Sequence, residues 1–77
     1  MALEDDIARA FAAAHGDMMV GMATWHRVQH DIKSGELKKI EVDDRDLAKK
    51  LLKYIKSIGK TTKVYLNGKE FTGGFFS

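Results

Sequence analysis

The chain contains no cysteine and no proline. Without cysteine there can be neither a disulfide nor a thiolate metal site. The composition therefore suits a reducing compartment, and the expected location is the cytoplasm. Without proline nothing forces a helix break and nothing stiffens a linker. Long hydrophobic runs are absent too, well short of the roughly 18 apolar residues of a membrane span. The first residues, MALEDDIARA, place Glu4, Asp5 and Asp6 where a secretory signal carries Lys or Arg, so no signal and no membrane association are expected. The last absence is of one sign of charge. From Lys49 to Lys69 there are seven lysines and no acidic residue.

What is present is an ordinary globular balance, 44% hydrophobic and 31% charged in 77 residues. That length makes one domain over residues 1–77. A core this small rarely supplies more than about 3–5 kcal/mol unaided, so self-association as a homodimer is one expectation. The net charge of +2 conceals a polarity. Residues 1–31 carry five acids and two bases, and residues 32–77 carry eleven bases and six acids. Such a chain either neutralises itself within the fold or meets charged partners, its own copies included.

The acids of the first turn suit the positive end of a helix dipole. Ile7, Phe11, Ala14, Met18, Trp25, Val28 and Ile32 then recur at helical spacing. His15-Gly16-Asp17 reads as a helix end followed by an N-cap, giving helices over about 4–15 and 18–33. The alternative is one unbroken helix of roughly 45 Å at 1.5 Å per residue. Gly35 is the expected left-handed stop. LKKIEV, residues 37–42, reads as a short strand. Asp43 or Asp44 caps a helix over about 44–58, which Gly59 ends. In KVYLNGKEF, Asn67-Gly68 joins two β-favouring runs near 61–66 and 69–72, the signature of a type I′ hairpin. The expected fold is α+β, with two or three helices followed by a C-terminal β-hairpin in a small antiparallel sheet.

On the third helix Lys49, Lys53, Lys56 and Lys60 fall within about 60° of one another, opposite Leu47, Leu51, Tyr54 and Ile58. A solvated amphipathic face explains that spacing, and the helix dipole explains lysines toward its C-terminus. Neither explains the missing Glu–Lys pairs nor the continuation through Lys63 to Lys69. These six lysines, with Phe75 and Phe76 as apolar anchors, form the first candidate surface, for an acidic protein or for phosphate. A basic helix followed by a basic hairpin resembles the layout of winged DNA-binding domains, and Tyr54 and Tyr65 could stack on bases. Base readout leans on arginine, however, and the basic region has only Arg45, so acidic protein is the first expectation and nucleic acid the alternative.

Met18, Gly21, Met22 and Trp25 form a second candidate surface, a seam for self-association in a small structural subunit. The methionines, Met19 among them, are otherwise read as core. His26 and His30 stand one helical turn apart, but position 27 is Arg and no acid is in step with them, so no metal is expected. There is no cysteine nucleophile, no GxSxG and no glycine-rich phosphate loop. No cofactor and no enzymatic activity are expected. The functional expectation is a non-catalytic small binding protein, a regulator or inhibitor of the kind that phages and mobile elements encode.

Overall fold

The computed structural model describes residues 3–73. Helix α1 spans Leu3–His15, with Glu4, Asp5 and Asp6 in its first turn. Gly16 follows at φ +69°, a conformation that glycine adopts without a steric penalty. Asp17 is extended, and its carboxylate accepts the N–H groups of Met19 and Val20 at 2.9 and 3.4 Å. That cap starts α2, Met18–Ser34, which ends at left-handed Gly35. The cap and the positive φ exclude a single long helix.

Helices α1 and α2 fold back on each other. Gln29 donates to Glu4 Oε1 at 3.0 Å, and Phe11 stacks on Trp25 with ring centroids 5.9 Å apart. Between them Gly21 lies directly against the backbone of Phe11 and Ala12. Ile7, Phe11, Trp25 and Ile32 of the apolar stripe are buried, and Val28 is half-buried. Met18 is exposed because the turn at Gly16 starts α2 with a new azimuth and the stripe does not run through it; Ala14, in the last turn of α1, is exposed as well.

Strand β1 is Lys39–Val42, α3 is Arg45–Ser57, β2 is Lys63–Leu66 and β3 is Lys69–Phe71. Asn67 and Gly68 take φ of 51° and 87°, and β2 pairs antiparallel with β3 across them. The α+β class and the hairpin are as expected; the wholly antiparallel sheet is not. β1 lies beside β2 and parallel to it, with Lys39 opposite Lys63 and Val42 opposite Leu66. The sheet is mixed, in the order β1-β2-β3. Parallel neighbours need a crossover of a dozen or more residues, and α3 supplies it. Thr62, itself buried, closes the crossover by donating its hydroxyl to the Leu37 carbonyl at 2.9 Å.

The amphipathic α3 directs Leu47, Ala48, Leu51, Tyr54 and Ile55 into the core. It packs against α1 and against β1 and β2. Ile7, Ile32, Leu51, Ile55 and Val64 are the largest fully buried side chains, each stabilising the fold by about 1.5–3 kcal/mol relative to exposure. Trp25 meets Tyr54 edge-on at 5.1 Å and so ties the helical hairpin to α3. The other sheet face carries Lys39, Glu41, Lys63, Tyr65 and Glu70, in strict alternation with the inward residues. Among the described residues no helix is long and apolar enough to cross a membrane.

Candidate functional site: a lysine face on α3 and its loop

The azimuth of the lysines follows from the burial of α3. With Leu47 to Ile55 turned inward, Lys49, Lys53 and Lys56 can only point out, and all three are exposed. Asp44 starts the helix by accepting the Asp46 N–H at 3.1 Å; Asp43 is not the cap. At the other end, Gly59 takes φ +71°. Its N–H reaches the Lys56 carbonyl, and the Lys60 N–H reaches the Ile55 carbonyl, both at 3.1 Å. This pair of bonds is a Schellman motif. It turns the chain sharply and holds Lys60 just beyond Lys56.

The crossover then brings in lysines that spacing alone did not assign. The Lys63 N–H donates to the Lys38 carbonyl at 3.0 Å, and Lys39 is the register partner of Lys63. Lys38, Lys39, Lys60 and Lys63 therefore gather around one end of the sheet. LKKIEV showed the two lysines but not their neighbour, because the neighbour is set by a parallel pairing. Lys69 belongs elsewhere. It opposes Leu66, at the far end of β2 from Lys63, roughly 10 Å away at 3.3 Å per residue. Lys56, Lys60 and Lys63 thus meet along one groove, Lys49 and Lys53 continue along the outward side of α3, Lys38 and Lys39 join Lys63 at the sheet end, Lys39 on the sheet face turned away from α3, and Lys69 is apart.

Charge on this face is not cancelled locally. None of Lys49, Lys53, Lys56, Lys60 and Lys63 forms an ion pair among the described residues. Lys50 differs: it meets Asp46 at 2.9 Å, and that hydrogen bond holds its ammonium above the ordinary value, with burial working the other way. Beside the lysines runs a groove between α3 and the hairpin. Half-buried Leu52 is its accessible apolar wall, above the core side chains of Ile55, Val64 and Phe71, and Lys56, Lys60 and Lys63 stand along it, with Glu70 as its acid.

The other sequence candidates fare differently. Tyr54 is buried and cannot stack on a base; its hydroxyl has no hydrogen-bond partner among the described residues. Tyr65 is half-buried on the outer sheet face, with Lys39 Nζ 5.4 Å from its ring. Its register neighbours on that face are Glu41 and Glu70. Arg45 lies over the Phe71 ring at 6.0 Å. The seam of Met18, Gly21, Met22 and Trp25 is divided: Gly21 and Trp25 are spent within the α1–α2 hairpin, while Met18 and Met22 are exposed. The methionines read as core are therefore not core. His15, His26 and His30 are exposed, and no three His, Cys, Asp or Glu among the described residues are grouped to hold a metal. Phe75 and Phe76 lie outside the described residues.

Comparison with protein-family models, with curated proteins and with solved structures finds no match to this chain.

Proposed function

We propose that this chain is a non-catalytic binding module, a small regulator or inhibitor, whose lysine face docks on an acidic segment of another protein. One observation carries the reading: lysines without ion partners among the described residues stand beside a groove whose accessible apolar wall is Leu52. A merely solvated face needs no groove, and a phosphate backbone has no apolar part to place in one. Protein interfaces combine the two, an apolar centre and a charged rim. The matching partner is an acidic stretch that carries an apolar anchor. Lysine supplies steering and long-range attraction here, and the anchor supplies residence.

A second reading, phosphate binding, draws support from Tyr65, an aromatic ring among Lys39 and Lys63 on an open sheet face. Two carboxylates weigh against it. Glu41 and Glu70 flank Tyr65 directly, at the roughly 5 Å separation of cross-strand neighbours, where they repel a backbone phosphate; Glu70 also lines the groove, so the acidic partner's carboxylates belong on its Lys56 and Lys60 side.

The test is fluorescence anisotropy with three labelled probes: an oligoglutamate peptide, the same peptide with an internal leucine pair, and a duplex oligonucleotide. Each is titrated at low and near-physiological salt. The expected result is binding of both peptides, tighter with leucine, and loss of binding in the Lys53→Glu, Lys56→Glu, Lys60→Glu variant. Tighter oligonucleotide binding, with log K falling linearly in log salt, transfers the face to the second reading. Peptide binding indifferent to the charge reversal, or no binding at low salt, refutes the proposed face.

A further inference from the structure

The groove beside the lysines opens where the described residues stop. Thr72, the residue after β3, lines it, and Gly73 follows. The next four residues, Gly74-Phe75-Phe76-Ser77, hold two adjacent phenylalanines and no charge. A phenylalanine left in water forgoes the gain of burial, and the nearest accessible apolar wall is that of the groove.

The register of the hairpin says which ring reaches it. Val64 pairs with Phe71, and both are buried on the α3 side of the sheet. Strand side chains alternate, so the next positions on that side are buried Thr62 and Gly73. Gly73 is not left-handed, unlike Gly16, Gly35, Gly59 and Gly68, so the chain does not turn back there. A Cβ built on Gly73 meets nothing within 4 Å; the space beside it is open. Two residues further, roughly 7 Å at 3.3 Å per residue, the same alternation brings position 75 to the α3 side and sends position 76 to the other. The groove offers about 330 Å³ against Leu52, and an apolar cavity of about 150 Å³ already admits a benzene ring.

We propose that Phe75 of this chain occupies the groove, its ring against Leu52 with Lys56 and Lys60 beside it, while Phe76 is directed away. The tail brings no charge, so the lysines keep their attraction for an acidic segment. A ring tethered two residues from the groove stands at an effective concentration on the order of millimolar. A partner's apolar anchor therefore enters only by displacing it. The seat of Phe75 is independent of the acidic partner; its competition with that partner's anchor rests on the function proposed above.

Nuclear Overhauser spectra of the full chain read the seat without any substitution. The expected result is cross-peaks from the Phe75 ring to the Leu52 methyls and none from the Phe76 ring. Phe75→Ala should lower the melting temperature by about 4–8 °C, and Phe76→Ala should leave it unchanged. No cross-peaks from Phe75, or equal effects of the two substitutions, overturns the seat. Anisotropy with the two oligoglutamate peptides reads the competition. If Phe75 fills the groove about nine-tenths of the time, Phe75→Ala should bind the leucine-bearing peptide about ten-fold more tightly than wild type. The plain peptide should be unaffected, and Phe76→Ala should match wild type. Cross-peaks with unchanged affinity for the leucine-bearing peptide overturn the competition. Cross-peaks without any peptide binding refute the acidic partner, and the competition with it, and keep the seat; peptide binding without cross-peaks does the reverse.

Discussion

Replacing Gly21 with alanine sets two effects of opposite sign against each other. Gly21 is in the interior of α2, where alanine is favoured over glycine by about 1 kcal/mol. If α1 merely lay nearby, the substitution would stabilise the protein. A Cβ built at Gly21, however, falls on the backbone N and Cα of Ala12 and comes within 2.7 Å of the Phe11 carbonyl carbon, where ordinary contact starts at 3.4 Å. These are main-chain atoms and cannot rotate away. The helices must separate by about 1 Å, a gap that forfeits a quarter to a half of each dispersion contact across it. The Phe11–Trp25 stack and the packing of Ile7 beside it lie on that seam. Overpacking of this kind costs about 1–3 kcal/mol and occasionally more. With steric overlap against backbone the upper end applies, and net destabilisation of about 2 kcal/mol remains after the propensity gain. At 4–8 °C per kcal/mol for a domain of this size, the melting temperature should fall by about 8–16 °C. Thermal unfolding followed by circular dichroism measures it. A melting temperature equal to or above wild type would mean that α1 and α2 do not approach this closely.

Two further outcomes follow from local geometry. Tyr54→Phe removes a buried hydroxyl that has no partner among the described residues, so stability in a urea titration should be unchanged or rise by up to about 1 kcal/mol; a loss of 2 kcal/mol would reveal a hydrogen bond. Asp44→Ala should cost about 1 kcal/mol by uncapping α3, whereas Asp43→Ala, whose side chain is exposed and is not the cap, should stay within about 0.5 kcal/mol. Equal losses at the two positions would mean that the cap is shared.

The charge polarity of the chain survives folding. The ion pairs Arg9–Asp6 and Lys50–Asp46, and the His30–Asp31 contact, each join residues close in sequence. None of these three joins the acidic helical hairpin to the basic α3 and its loop; the attraction of Asp6 on α1 for the Lys50 ammonium on α3 is a through-space one. A self-neutralising fold would have shown such pairs around Lys53, Lys56 and Lys60. These are the lysines that the proposed acidic partner meets.

The sequence by itself determined the punctuation of the chain and the outward face of α3. Asp17, Gly35, Gly59 and Asn67-Gly68 act through their own backbone preferences and through bonds to residues a few positions away, so their effect is legible in a short window. The lysines at 49, 53 and 56 point outward because five apolar residues of the same helix must point inward. The tertiary structure alone decided what lies beyond such windows. It set β1 parallel to β2, which brings Lys38 and Lys39 to Lys63 and leaves Lys69 apart. It also divided the apolar residues of α2, burying Gly21 and Trp25 and leaving Met18, Met19 and Met22 in water. The helical period orders residues around an axis, but the arc that is buried depends on where the neighbouring helix makes its closest approach. That approach needs a residue without a Cβ, and Gly21 placed α1 there.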